Sequence, residues 1–276
     1  MIYIGNHLSS SAGFLAMGKA ATKLGADTFA FFTRNPRGGS AKAIDKNDAD
    51  ALMEYLAKNN FGKIVAHAPY TMNVCAAKED IRQFSVEMLK DDINRMEYLP
   101  GNYYNFHPGS HVGQGSDTAV DLIVTALNTA LTPQMNTMVL LETMAGKGTE
   151  VGRNFEEIKS IIDKTKCQDK IGVCLDTCHV WDGGYDVKND IDGVLKEFDT
   201  IVGIDKLKAI HINDSMNDIN SHKDRHEKIG QGYIGEEGFK QIVNHPLLAG
   251  KPFILETPND DEGYAKEIAM IRSWIK

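Results

Sequence analysis

The 276-residue chain is long enough for one large domain or two small ones, and its 42% hydrophobic and 25% charged residues are ordinary for a globular protein. No apolar run approaches the roughly 18 residues of a membrane-spanning helix, and no basic segment followed by a long apolar one opens the chain. A membrane protein is therefore not expected. Four cysteines do not make a disulfide framework, so a reducing compartment, by default the cytoplasm, is expected.

Apolar runs alternate with helix-like stretches along the whole chain. A first strand is predicted at 2–5 and a second at 28–32. Ser116 is predicted to cap a helix, and Asn154 with Glu157 resembles a capping box. Ile81, Phe84, Met88 and Leu89 have the spacing of an apolar helix face. The predicted helices cover 12–24, 46–59, 79–99, 119–131, 187–199, 235–244 and 261–274, with one more after Asn154.

This alternation gives about eight β–α units, without a low-complexity linker. Alternating units with apolar strands indicate a parallel sheet covered by helices. Eight of them in this length favour a (β/α)₈ TIM barrel, a single domain over 1–276. A doubly wound open sheet is the alternative, because strand order cannot be read from the sequence.

Six of the apolar runs end on a residue that can bind a metal. The carboxyl ends of barrel strands meet at one face, whereas an open sheet would spread them over tens of ångströms. This series therefore favours the barrel. The runs are 63–67, 103–107, 138–142, 171–176, 207–211 and 252–256, and they end on His67, His107, Glu142, Asp176, His211 and Glu256.

Two further clusters add candidate ligands. His179 follows Asp176 by three residues, on the loop or first helical turn after the strand. Asp224 and His226 lie in a long polar stretch, 213–228, and long loops are usually functional or disordered. An Asp-x-His pair in an extended segment would direct both side chains the same way.

Nine candidate ligands are thus expected at one face. Imidazole and carboxylate without thiolate suit catalytic zinc, and also manganese or iron. Nine ligands are enough for three ions, which favour hydrolysis of a phosphate ester. Three divalent ions would bring the formal charge of −8 to about −2, so net charge does not exclude a nucleic-acid partner.

Three segments resemble endonuclease IV, the zinc-dependent apurinic/apyrimidinic (AP) endonucleases of base-excision repair. They are 106–110 (FHPGS), 174–179 (CLDTCH) with 184–186 (GYD), and 213–215 (NDS) continuing to 224–230 (DRHEKIG). With the order of strand-end ligands, the resemblance covers nearly the whole chain.

The resemblance implies which residues hold each zinc ion. His67 and His107 would hold the first, with Glu142 bridging to the second and contributing directly to catalysis. The second would be completed by Asp176, His211 and Glu256, and the third would be held by His179, Asp224 and His226.

The resemblance also implies the reaction. The family cleaves the phosphodiester 5′ to an abasic site in duplex DNA, leaving a 3′-hydroxyl and a 5′-deoxyribose phosphate, and a zinc-bound hydroxide is the expected nucleophile. The expected partner is damaged duplex DNA, bound by a monomer without membrane attachment.

Arg37 and Tyr70 align with the loops that enter the duplex in this family, as wedge or stacking residues. Gly38 and Gly39 depart from the pattern, since bulkier polar or aromatic residues are expected after the arginine.

The main alternative is a single-metal sugar isomerase or epimerase of the xylose-isomerase-like barrel group. Glu142, Asp176, His211 and Glu256 would also supply its metal. Such an enzyme has no evident need for the other five candidates. A catalytically inert binding protein is disfavoured because no ligand position carries a non-ligating residue.

Some motifs have simpler interpretations. His222 and His245 are expected at the surface, while His7 and His111 lie near the proposed face. Cys174 and Cys178 are interpreted as buried thiols rather than metal ligands. The glycines of 230–235 (GQGYIG) follow a polar loop rather than a strand, which indicates turns and not a dinucleotide site.

Overall fold

A closed barrel of eight parallel strands dominates the computed structural model, which describes residues 2–276. The strands follow the order β1-β10-β7-β6-β5-β4-β3-β2, and β1 pairs with both β10 and β2. This closure confirms the predicted TIM barrel and excludes the open sheet. The barrel strands are β1 Tyr3–Leu8, β2 Ala30–Phe32, β3 Val65–His67, β4 Tyr103–Phe106, β5 Met138–Glu142, β6 Ile171–Asp176, β7 Leu207–His211 and β10 Pro252–Leu255.

Helices surround the barrel on its outside. Gly235–Asn244 and Asp261–Trp274 have the predicted bounds. The helix after Asn154 and the short helix after β6 had no predicted bounds, and the other helices differ from the prediction at one or both ends. The helices are α1 Phe14–Lys23, α2 Lys46–Lys58, α3 Glu79–Met96, α4 Ser116–Ala130, α5 Phe155–Lys164, α6 Thr177–Asp182, α7 Ile191–Ile201, α8 Gly235–Asn244 and α9 Asp261–Trp274. Short 3₁₀ helices cover Ser10–Ala12, Gln168–Lys170, Ile204–Lys206 and Pro246–Leu248.

Two predicted helix features are wrong. Ser116 is the first residue of α4, and Gly115 precedes it as the N-cap; the Ser116 hydroxyl instead donates to Glu157 at 2.6 Å. Ile81 and Phe84 are 42% and 58% exposed, so α3 turns them outward although their spacing matches its apolar face. The predicted cap Asn154 is confirmed, because its side chain accepts from the Glu157 amide at 2.8 Å.

A small hairpin interrupts the β–α alternation after β7. Strand β8 (Asp214–Ser215) pairs antiparallel with β9 (His226–Glu227), so that Ser215 lies opposite His226. The sequence pattern did not predict this hairpin. It brings the end of the long polar loop back over the end of the barrel.

The inside of the barrel is filled by a layer of small and medium side chains from alternate strand positions. This layer contains Ala30, Val65, Leu140, Cys174, Ala209 and Ile254, all fully buried. Because strand side chains alternate between faces, the residue two positions later on each strand also points into the barrel. Those later residues form the next layer, at the carboxyl ends of the strands.

Candidate metal centre

The candidate ligands lie directly above the buried layer of the barrel. Glu142 follows Leu140 by two residues, Asp176 follows Cys174, and His211 follows Ala209. The same spacing relates His67 to Val65 and Glu256 to Ile254. The alternation of the strands is therefore the reason that these side chains converge at one end of the barrel.

Glu142 lies at the centre of the cluster and is fully buried. Its Oε2 is 3.2 Å from Nε2 of His67 and 3.3 Å from Nε2 of His107. Its other oxygen, Oε1, is 3.1 Å from Nδ1 of His211. Asn105 on β4 donates to Oε2 at 2.5 Å and holds the carboxylate in this orientation. One oxygen of Glu142 thus faces His67 and His107 and the other faces His211, which is the arrangement of a ligand that bridges two ions.

A second group surrounds Nδ1 of His211. Oε2 of Glu256 is 3.2 Å from this nitrogen, and Oδ2 of Asp176 is 3.9 Å from it. Together with Glu142, these residues offer four ligand atoms within 4.8 Å of one another. This set is the one that was expected to hold the second ion.

A third group lies between α6 and the long loop. Nε2 of His179 is 3.1 Å from Oδ1 of Asp224, and Nε2 of His226 is 3.6 Å from the same oxygen. His226 also approaches Oδ2 of Asp176, at 3.7 Å. The expected extended Asp-x-His segment is wrong, because Asp224 has a left-handed backbone with φ of 54°. The two side chains nevertheless face one space, since β9 orients His226 separately.

The distances between these ligand atoms suit metal ions. A tetrahedral zinc ion with bonds of about 2.0–2.1 Å separates its ligand atoms by about 3.3 Å. The closest pairs of candidate ligand atoms in the three groups are 3.1–3.3 Å apart. In addition, Nε2 of His226 is buried without a hydrogen-bond partner, and coordination to a cation in the third group would satisfy this nitrogen.

The electrostatics of the cluster also favour cations. Burial opposes ionisation of Glu142, but the charges of His211 and His107 hold the pKa of its carboxyl well below the usual range. Burial likewise opposes protonation of His179, but Asp176 and Asp224 raise the pKa of its imidazole well above the usual value. The carboxylates thus attract positive charge, and divalent cations between the same atoms would take the place of protons.

The remaining histidines lie outside the three groups. Nε2 of His7 is 2.7 Å from Oε1 of Glu256, so His7 buttresses a candidate ligand. His111 accepts from the amides of Gly113 and Gly115 and orders its own loop. His222 is exposed as expected, whereas His245 is only partly exposed, and its Nε2 pairs with Asp192 at 2.8 Å.

The two predicted DNA contacts differ in their surroundings. The Tyr70 side chain is 62% exposed, and its ring centroid lies 5.9 Å from that of His67 and 6.3 Å from that of His107. Tyr70 therefore stands at the edge of the candidate metal centre. Arg37 is exposed on the loop after β2. On the same loop, Gly39 packs against the Phe84 ring, and a Cβ there would lie 2.6 Å from the ring as it is placed.

Cys174 and Cys178 are buried free thiols, as predicted. Burial raises the pKa of the Cys174 thiol to about 11, which makes it a poor ligand at neutral pH. Among residues 2–276, no helix is long and apolar enough to cross a membrane.

Comparison with known proteins agrees with this geometry. A family model described as a xylose isomerase-like TIM barrel matches residues 19–274. The protein named probable endonuclease 4 of Alkaliphilus oremlandii is 60% identical over 272 residues, covering 99% of this chain and 97% of its own length. The crystal structure of endonuclease IV from Thermus thermophilus is 34% identical, covers 99% of this chain and 98% of that chain, and superposes with a TM-score of 0.87.

The chain belongs to the endonuclease IV family. A D-tagatose 3-epimerase-like protein also superposes with a TM-score of 0.71 over 99% of this chain and 97% of its own, at 19% identity. That likeness shows the shared barrel and nothing further.

The side chains that orient the candidate ligands were not identified from the sequence. Asn105 and Asn213 are fully buried and each contacts a candidate ligand carboxylate. A signal for Asn105 was present, since it precedes His107 by two residues in the same apolar run, 103–107, and is therefore expected to face the same way. Asn213 lies inside the segment 213–215, whose resemblance to the family does not by itself indicate that this side chain orients a ligand.

Proposed function

We propose that the protein is an AP endonuclease that hydrolyses the phosphodiester 5′ to abasic sites in duplex DNA, leaving a 3′-hydroxyl and a 5′-deoxyribose phosphate. The observation that carries the proposal is the convergence of nine candidate imidazole and carboxylate ligands in three groups. Glu142 joins the first two groups, and Asp176 approaches His226 of the third. Family membership over the whole chain supports the same activity.

The proposed cofactor is three zinc ions, with Mn²⁺ or Fe²⁺ as an alternative at one site. His67, His107 and Glu142 would hold the first. Glu142 would share the second with Asp176, His211 and Glu256, and the third would be held by His179, Asp224 and His226. Ions in such a site, when bound, supply activated water and neutralise negative charge on the phosphate and the leaving oxygen.

The protein's own residues would hold the ligand atoms in place and contact the DNA. Glu142 is buried and oriented by Asn105, so its carboxylate keeps one position while substrate enters. The strands that carry the candidate ligands are rigid, which keeps the ligand atoms in place during the reaction.

Tyr70, exposed beside His67 and His107, would stack on or wedge into the duplex at the lesion. Arg37 would contact the DNA from the neighbouring loop.

The single-metal isomerase is the second candidate. It is supported only by the group of Glu142, Asp176, His211 and Glu256, which is a complete four-ligand set. It does not account for the approach of His179 and His226 to Asp224, at 3.1 and 3.6 Å. The third group therefore favours the endonuclease.

The proposal includes the organisation of the protein. Residues 1–276 would form a single TIM-barrel domain that acts as a cytoplasmic monomer. The matching family model and the Thermus thermophilus structure both run nearly end to end along this chain, which supports a single domain.

The test is cleavage of a duplex that carries one abasic site, using zinc-loaded protein without added magnesium. The proposal predicts incision 5′ to the lesion and a product end that a DNA polymerase extends, since a 3′-hydroxyl is required for extension. An undamaged duplex of the same sequence is the control. Failure of folded, zinc-loaded protein to incise would overturn the proposal, and interconversion of a ketose would favour the isomerase.

A further inference from the structure

Asp182, the last residue of α6, is a fully buried carboxylate outside the nine candidate ligands. Its Oδ1 accepts from the Ser215 hydroxyl at 2.7 Å. Its Oδ2 accepts from the backbone amide of Asp224 at 2.8 Å. A buried carboxylate is costly unless it is hydrogen-bonded, and these two contacts give each of its oxygens a partner. Asp182 thus links α6 to the residue that carries a candidate ligand of the third group.

The loop before Asp224 has an unusual backbone. Asn220, His222 and Asp224 have left-handed conformations, with φ of 62°, 53° and 54°. Side chains other than glycine rarely adopt this conformation, and it persists only where surrounding contacts impose it. Three such residues at alternate positions indicate that contacts with residues outside the loop impose its conformation.

The contacts that hold this loop come from the end of α6. The amide of Asn220 donates to the Trp181 carbonyl at 3.1 Å, and the amide of His222 donates to the Asp182 carbonyl at 3.0 Å. The amide of Asp224 donates to the Asp182 side chain. The backbone N–H of each left-handed residue therefore donates to Trp181 or Asp182, at the carboxyl end of α6. The Trp181 indole adds a fourth contact, donating to the Asn217 carbonyl at 3.0 Å.

The same short helix also carries His179, whose Nε2 lies 3.1 Å from Oδ1 of Asp224. Helix α6 therefore supplies one candidate ligand, His179, and through Asp182 it also fixes the backbone of a second candidate ligand, Asp224. A carboxylate that accepts the amide of a ligand residue sets where that ligand's oxygen lies. Loss of this contact would release Asp224 while leaving His179 in place.

We propose that Asp182 is a positioning residue for the third metal ion, acting through the backbone amide of Asp224. This inference rests on the three-ion centre of the proposed function. It concerns ion affinity at one group and does not require that the substrate be abasic DNA.

The test compares Asp182→Ala and Asp182→Asn with the unsubstituted protein by zinc titration against a competing chromophoric chelator. In Asp182→Ala we expect one of three zinc equivalents to bind about 10- to 100-fold more weakly, with the other two unchanged. Asp182→Asn should stay within a few-fold of the original affinity, because its amide oxygen can accept from Asp224 while its NH₂ donates to Ser215.

Glu97→Gln is the matched control. Glu97 also accepts backbone amides, those of Asn136 and Thr137, but these residues precede β5 and lie at the opposite end of the barrel. Its substitution should lower the melting temperature and leave all three zinc affinities unchanged. A merely structural role for Asp182 would give the same result as this control.

The outcomes are distinguishable. Asp182→Ala protein that binds three equivalents with unchanged affinity overturns the inference, and so does unsubstituted protein that binds fewer than three. If three equivalents bind, one is weakened by Asp182→Ala, and the abasic duplex is not cut, the positioning role stands and the proposed function fails. Should Asp182→Ala not fold, Ser215→Ala removes the hydrogen bond that orients the carboxylate. Weakening of one equivalent in that variant supports the inference, and no weakening overturns it.

Discussion

The side-chain amide of Asn213 donates to Oδ2 of Asp176 at 2.7 Å, which ties the loop after β7 to a candidate ligand at the end of β6. The Asn213 oxygen accepts from the backbone amide of Glu256 at 2.8 Å, so one buried side chain joins three successive strand ends. An asparagine suits this position because it offers a donor and an acceptor together. The Asp176 carboxylate is thereby held in one orientation, facing the space shared by two ligand groups.

Asn213→Ala tests this link. It would leave Oδ2 of Asp176 and the Glu256 amide without their buried partner, so we expect a loss of about 2–4 kcal/mol in the free energy of unfolding. Zinc affinity should fall by about tenfold or more, because Asp176 loses its fixed orientation. Urea unfolding and zinc competition measure the two effects. Unchanged values in both would show that Asn213 does not orient the centre.

Glu142→Gln tests the bridging role of the central carboxylate. The variant should fold, because glutamine has nearly the same shape, and circular dichroism checks this. Turnover on abasic duplex should fall by at least about 100-fold, since a neutral amide cannot neutralise and join two ions. Near-normal turnover in zinc-loaded variant protein is the result that would rule out bridging.

The double substitution Asp224→Ala and His226→Ala tests the assignment of the third group. These residues meet His179 in the third group, so their removal should cost one zinc equivalent and leave two. Metal analysis of dialysed protein measures the count. Three equivalents in the variant would mean that other residues hold the third ion.

Glu97→Gln tests a part of the fold remote from the metal centre. Burial opposes ionisation of Glu97, but hydrogen bonds from Thr137 and Asn136 outweigh it and lower the pKa of the carboxyl. The ionised form is therefore stabilised by folding, and glutamine should cost about 1 kcal/mol near neutral pH, since solvent reaches this site.

The pH dependence of that cost follows from the sign of the shift. The contribution of a carboxyl with a lowered pKa is present above its unfolded value, about 4.3, and is lost as pH falls through the lowered folded value. The stability difference between the two proteins should thus be constant at neutral pH and shrink below about pH 4. A difference that grows on acidification would contradict this explanation.

The fold and six candidate ligands were predictable because they depend on local patterns. Alternation within each strand decides which side chain faces into the barrel, and His67 or Glu142 needs no distant partner to point there. The closed order of the strands then brings the ends together. A repeating β–α pattern with ligating residues at the strand ends is therefore enough to place the centre.

The long loop was not predictable, because its shape depends on distant residues. Asp224 takes a left-handed backbone since Asp182, 42 positions earlier, accepts its amide. Gly39 similarly packs against the Phe84 ring of α3, a side chain that the helical pattern placed on the apolar face. Local propensity carries no information about either partner.

Anomalous diffraction at the zinc edge, from crystals of zinc-loaded protein, tests the three-ion centre most directly. We expect three peaks: two beside Glu142, spaced by about 3.5–4 Å as in two-metal hydrolytic sites, and a third beside Asp224. One peak enclosed by Glu142, Asp176, His211 and Glu256, with His179 and His226 free of metal, would contradict it.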